Sequence, residues 1–147
     1  MLRKAVKHEL ENIWAAHKRQ FEDIDINSIE LFLDITEPYD IIDIIKNNET
    51  RFKHIIYEIF KRTGNNEMYR NVGDGVYEMR FNGRPNARIL CKEVKQSNSS
   101  MKIIMCKGIK NKGTTGKSTQ EMFKVIEKYN FEFYKNYQDY EKDNGTK

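Results

Sequence analysis

Apolar residues recur at Leu2, Val6, Leu10, Ile13, Trp14 and Phe21, on or near one helical stripe. That spacing predicts an amphipathic helix over 2–22. Asp23 to Asn27 break the pattern. From Ser28 to Ile35 the period shortens to two: Ile29, Leu31 and Leu33 alternate with Glu30 and Asp34, which predicts a strand. Thr36-Glu37-Pro38 punctuates the chain and opens a helix, with Pro38 near its first turn and Ile41, Ile42, Ile44 and Ile45 on its apolar face. Asn47 and Asn48 end it. A second helix is expected over 49–63, where Phe52, Ile55, Ile56, Ile59 and Phe60 fall at i, i+3, i+4, i+7, i+8, and Gly64 stops it. Two helices joined so closely form an antiparallel hairpin.

The second half reads mostly as strand. Gly73-Asp74-Gly75 is a turn, and 76–81 alternates, with Tyr77, Met79 and Phe81 on one side and Glu78 and Arg80 on the other. Residues 82–86 are a turn-rich link. A strand over 87–94 follows, then the polar turn 96–100, then a strand over 101–107 closing at Gly108. Residues 110–117 form a Lys/Gly/Thr loop. Ser118 with Glu121 three residues on is a capping box for a helix through Phe123 and Ile126. The aromatic-rich stretch 127–140 continues it, packing its aromatic side on the sheet or on the first helix, and 141–147 should fray. The late strands should pair as an antiparallel meander with the helical hairpin on one face. A stripe on 2–22 needs a cover, and the aromatic helix over 119–140 is the expected one.

With 147 residues, the chain fits one domain, 1–147, and 12% aromatic content can build a core despite 33% charged residues. No apolar run approaches a membrane span, and no signal-peptide stretch opens the chain, which predicts a cytoplasmic protein. The two cysteines, Cys91 and Cys106, fall on neighbouring predicted strands, where reduced, half-buried thiols are expected over a disulfide. His8, His17 and His54 read as exposed helix histidines, and no metal-ligand spacing is present. The net charge of +4 is unevenly placed: 22–49 is acidic and 80–117 is basic. Such segregation predicts a basic face for nucleic acid or another polyanion.

Each late strand carries or adjoins a cation: Arg80, Arg88, then Lys110 and Lys112. Arginines on strands are costly to bury unless they face something negative, and three convergent positions suit a phosphate. Gly113 to Ser118 contains Gly-Lys-Ser, but Asn111 stands where a phosphate-binding loop needs its first glycine, so that motif is rejected.

The ordered set Gly-Val-Tyr-Glu-Met-Arg (75–80), Ala-Arg-Ile-Leu (87–90) and Lys-Ile-Ile-Met-Cys-Lys-Gly-Ile-Lys-Asn-Lys (102–112), followed by a capped helix, resembles the RelE/HigB toxin superfamily, in its phage-derived HigB-like branch. The resemblance covers 28–130 by element order and 75–125 by motif. It implies an α+β RelE-like fold: a small twisted antiparallel sheet with a helical hairpin on one face, here with extra N- and C-terminal helices. It implies a toxin of a type II toxin–antitoxin pair, a metal-independent endoribonuclease that needs no cofactor. Such a toxin cleaves mRNA, commonly on the ribosome, by 2′-hydroxyl attack on the phosphate, and is held inactive by an antitoxin, expected to be a helix-turn-helix protein. Arg80 and Arg88 match the strand arginines that grip the phosphate; Lys110 and Lys112 match the basic cluster, where crowding by cations would lower a lysine pKa enough for base catalysis. Arg84, Lys107 and Lys117 are candidate RNA contacts. The Tyr or His that some members carry is missing from 111–116. That departure keeps two alternatives open: a ParE-like toxin inhibiting gyrase without cutting RNA, and a non-enzymatic phage or mobile-element adaptor of the same fold.

Overall fold

The computed structural model describes residues 2–8, 28–61, 67–81, 86–96, 100–111 and 118–145. The helical stripe from Leu10 to Phe21 with Trp14, His17, Gly64, Arg84, Lys112, Lys117 and the Ser118 cap all lie outside the described residues. In chain order the elements are β1 (Arg3–Lys7), β2 (Ile29–Asp34), α1 (Tyr39–Asn47), α2 (Glu49–Lys61), β3 (Tyr69–Asn71), β4 (Val76–Arg80), β5 (Arg88–Lys95), β6 (Met101–Ile109), α3 (Ser118–Glu127), β7 (Phe131–Tyr134) and α4 (Tyr137–Asn144). The architecture is α+β, on one seven-stranded mixed sheet in the order β3-β4-β5-β6-β2-β1-β7.

The middle of the chain follows its hydrophobic pattern. Phe52, Ile55, Ile56, Ile59 and Phe60 are all buried on α2, and Ile41 and Ile44 on α1, where Ile42 stays exposed. These side chains pack with Ile29, Leu31, Met79, Phe81, Ile89, Cys91, Ile103 and Met105 on one sheet face. Burying each such side chain contributes roughly 1.5–3 kcal/mol relative to exposure. The other face packs Val76, Leu90, Ile104 and Ile109 against Phe123 and Ile126 of α3. β4, β5 and β6 form the expected antiparallel meander, extended by β3 at its edge.

Several expectations are corrected. Arg3–Lys7 is a strand, not the start of a helix, because β1 pairs on both sides, antiparallel to β2 and parallel to β7. Five residues are too few to separate a period of two from one of 3.6, and the sheet decides. The stretch 127–140 is not one helix. Phe131 and Phe133 alternate on β7, and Asn136 then caps α4 by accepting a hydrogen bond from the Asp139 amide at 2.8 Å. The two ends of the chain do meet, as a parallel strand pair rather than as packed helices. Residues 141–144, where fraying was expected, continue α4, and Tyr134 accepts from Asn144 while donating to Asp143. Finally, β2 pairs with β6 in parallel, so the sheet is mixed rather than antiparallel.

Gly108 does not stop β6 but lies inside it. A Cβ there would sit 2.8 Å from the Ile41 amide nitrogen and 2.9 Å from the Asp40 carbonyl carbon. Glycine therefore lets the start of α1 lie directly on the strand. Cys91 and Cys106 are free and fully buried, more so than expected. They occupy opposite faces of the sheet, because the bulge between Leu90 and Cys91 shifts the register of β6. Burial raises both thiol pKa values, which keeps them protonated and unreactive.

His8 also departs from expectation. It lies just past β1, half-buried, with its ring edge-on to Phe52 at 6.0 Å. Burial lowers its pKa. His54 is exposed on α2, as expected.

Two measurements check this packing. Gly108→Ala should destabilise the fold by about 1–3 kcal/mol, read from a urea midpoint, because backbone rather than a flexible side chain must move; an unchanged midpoint contradicts the close approach. The pH dependence of stability should show His8. The unfolded chain protonates its histidine near pH 6.5, above the folded value, so the unfolded state binds more protons and stability falls as pH drops from about 7 to 5.5. His8→Gln should flatten that part of the profile.

Candidate functional site

Strands β4 and β5 place Arg80 and Arg88 directly opposite one another in the ladder. Both share a sheet face with Glu78, two residues before Arg80 on β4, and that face is shielded from solvent at Glu78. Glu78 was expected beside Arg80 on the face away from Tyr77, Met79 and Phe81, and it is there, but fully buried. Arg80 Nε donates to Glu78 Oε1 at 3.0 Å. Arg88 Nε lies 3.3 Å from the same oxygen, too poorly aligned for a hydrogen bond, so it is buried with no acceptor. Arg88 Nη1 donates to Asn86 Oδ1 at 2.5 Å and to the Ala87 carbonyl at 3.0 Å. Burial, only partly offset by Glu78, lowers the Arg88 pKa, and the nearby charges of Arg80 and Arg51 push it the same way.

Arg51 was not singled out from the sequence. It stands in the first turn of α2, and its Nε donates to the Arg80 carbonyl at 3.0 Å. The signal in the sequence was a cation in a helix first turn, where the helix dipole disfavours it. Arg70, exposed on β3, is the register partner of Glu78 from the other side. The two strand arginines thus differ in exposure. Arg80 keeps 23% of its side chain exposed, whereas Arg88 keeps 8% and belongs to the interior.

The lysines go elsewhere. Lys110 follows Ile109, the register partner of Arg88, but its ammonium turns to α1 and pairs with Asp43 at 3.0 Å and Asp40 at 3.6 Å. The hydrogen bond and charge of Asp43 raise its pKa. This reverses the expected lowering by neighbouring cations and argues against Lys110 as a base at neutral pH. Lys107 pairs with Glu37 at 3.4 Å and lines an open cleft of about 440 Å³ between β6 and α3, together with Arg3, Cys106, Met122, Val125 and Tyr129. That cleft includes neither Arg80 nor Arg88. Among the described residues no cluster of His, Cys, Asp and Glu could hold a metal ion, and no helix is long and apolar enough to cross a membrane.

The sequence asymmetry of charge also takes on a new meaning. Glu30 and Lys102 are register partners on β2 and β6 and pair at 3.0 Å. Glu37, Asp40 and Asp43 take Lys107 and Lys110, and Lys92 donates to the carbonyls of Glu127 and Tyr129. Among the described residues the acidic and basic segments are packed against each other, and there the segregation reports their contact.

Comparison of the chain with family models, with curated proteins and with solved structures finds no match.

Removing Glu78 leaves Arg88 buried beside other cations with no carboxylate. Glu78→Ala should therefore cost about 3–5 kcal/mol of unfolding free energy, measured by chemical denaturation. A loss below about 1 kcal/mol would show that Arg88 is held by Asn86 and Ala87 alone.

Proposed function

We propose that this chain is a cytoplasmic toxin with a RelE-like fold, of RelE/HigB type, that cuts mRNA without a metal ion and is held inactive by a helix-turn-helix antitoxin. The observation carrying this reading is the pair Arg80 and Arg88, set in register on adjacent strands and both drawn to one carboxylate. The order from β2 through the α1–α2 hairpin, the β4–β6 meander and α3 supports it, since it follows the order the sequence resemblance leads one to expect.

In this reading the RNA 2′-hydroxyl attacks the adjacent phosphorus and the 5′-oxygen leaves. Negative charge grows on the phosphoryl oxygens. Guanidinium groups fixed before the substrate arrives stabilise that charge without reorganising, which is the largest contribution such a site makes. Arg80, the more exposed of the two, meets the phosphate, and Arg88 adds positive potential from behind. Glu78 acts as a positioning residue. Lys110 is assigned no proton-transfer role, because Asp40 and Asp43 hold its ammonium.

That same engagement of Lys110 favours one second reading: a toxin of this fold that does not cut RNA and acts on gyrase instead. Induced expression separates the two. Growth arrest with loss of intact mRNA, and cleavage of purified mRNA in the presence of EDTA, supports the nuclease. Arrest with intact mRNA and altered DNA supercoiling supports the second reading. Normal growth with confirmed folded protein removes both and leaves a non-enzymatic adaptor. Within the nuclease reading, Arg80→Ala should lower the cleavage rate by about 10²–10³-fold, as loss of one transition-state contact does.

A further inference from the structure

We propose that Arg51 joins Arg80 and Arg88 in one anion-binding site, and that the site takes a phosphodiester of single-stranded RNA. The identity of the anion rests on the reading above; the site itself rests on the geometry.

Two guanidinium groups, Arg80 and Arg88, reach one buried carboxylate, and a third, Arg51, bonds the Arg80 main-chain carbonyl from α2. They are drawn from two strands and a helix. A purely structural network of this kind would balance its charges, because an uncompensated cation in a poorly solvated place is costly. Among the described residues the cations outnumber the carboxylate, and Arg70 adds a further positive charge at the register position beside Glu78.

Arg51 itself sits against two unfavourable fields. It lies in the first turn of α2, where the helix end is positive, and beside two other cations. Its one hydrogen bond, from Nε to the Arg80 carbonyl, fixes the guanidinium plane and leaves the Nη groups with no partner among the described residues. Arg80 is held in the same way, by Nε on Glu78. A guanidinium anchored at Nε keeps its Nη donors for another acceptor, and such a fork matches phosphate oxygens bidentately. Arg88 contributes charge from within, its Nε buried and without an acceptor. A bound phosphate would relieve the mutual repulsion of all three.

The test uses the full chain and a fluorescently labelled single-stranded RNA whose 2′-hydroxyls are methylated, so that binding is read without cleavage. Fluorescence anisotropy should show salt-dependent binding. Arg51→Ala should raise Kd about tenfold, the effect of one charge-assisted contact, and flatten the salt dependence by about 0.7 in log–log slope. Arg51→Lys should recover only part of the affinity, since a point charge does not reproduce the fork. Lys46→Ala, exposed on α1, should stay within twofold. Thermal melts confirm that each variant folds. If Arg51→Ala binds as the parent does while Arg80→Ala loses affinity, Arg51 is not part of the site and the proposal is overturned. If the RNA does not bind at all, the cluster is structural and the proposal is likewise overturned. Tight, Arg51-dependent binding in a protein that neither arrests growth nor cuts RNA upholds the site and removes the nuclease reading alone.

Discussion

The parallel pairing of β2 with β6 is the contact on which the remaining architecture depends. It inserts an early strand beside the last strand of the meander, so both lie in the middle of the sheet. Because β2 runs parallel to β6, the chain must cross over between them, and the α1–α2 hairpin makes the first part of that crossing. The start of α1 then rests on β6 at Gly108, where only the absence of a Cβ permits the approach. Once β2 is in place its other edge accepts β1, and β1 in turn accepts β7. The ends of the chain are thereby joined through a ladder that starts from one central strand.

The same pairing explains most of the charge distribution. Glu30 meets Lys102 across the ladder, and the acids that follow on the loop and α1 meet Lys107 and Lys110 at the end of β6. The exposed pairs of Lys107 and Lys110 contribute little to stability. The consequence of the pairing is electrostatic: it neutralises Lys102, Lys107 and Lys110 of the basic segment. What is left includes Arg80 and Arg88 at Glu78, where cations outnumber the carboxylate among the described residues. The candidate site is therefore defined as much by where acids neutralise lysines as by where the arginines stand.

Buried arginine and glutamate are a demanding combination. Glu78 is fully enclosed and yet serves cations on its own strand and on β5. Such a network adds less stability than an apolar packing of the same volume would, but it sets side-chain directions firmly. For the proposed phosphate chemistry direction is the valuable quantity, since donors already in place need no rearrangement when charge develops.

Much of the core was legible from the sequence alone, because period and burial coincide there. The α2 positions Phe52, Ile55, Ile56, Ile59 and Phe60 repeat with the helix and are buried, and Ile29 and Leu31 alternate with Glu30 on a strand that is a strand. The pairing of Arg80 with Glu78 was equally visible, being a neighbour relation on one strand face. Tertiary structure decided what depends on partners distant in sequence. Arg3–Lys7 and Phe131–Tyr134 are too short to declare a period, and each becomes a strand because the other is there to share its backbone hydrogen bonds. Lys110 and Arg88 are both single cations in sequence, yet one reaches exposed acids on α1 and the other is buried beside Glu78. Local spacing determines which way a side chain leaves its own element; only the packing of elements determines what charge waits for it there.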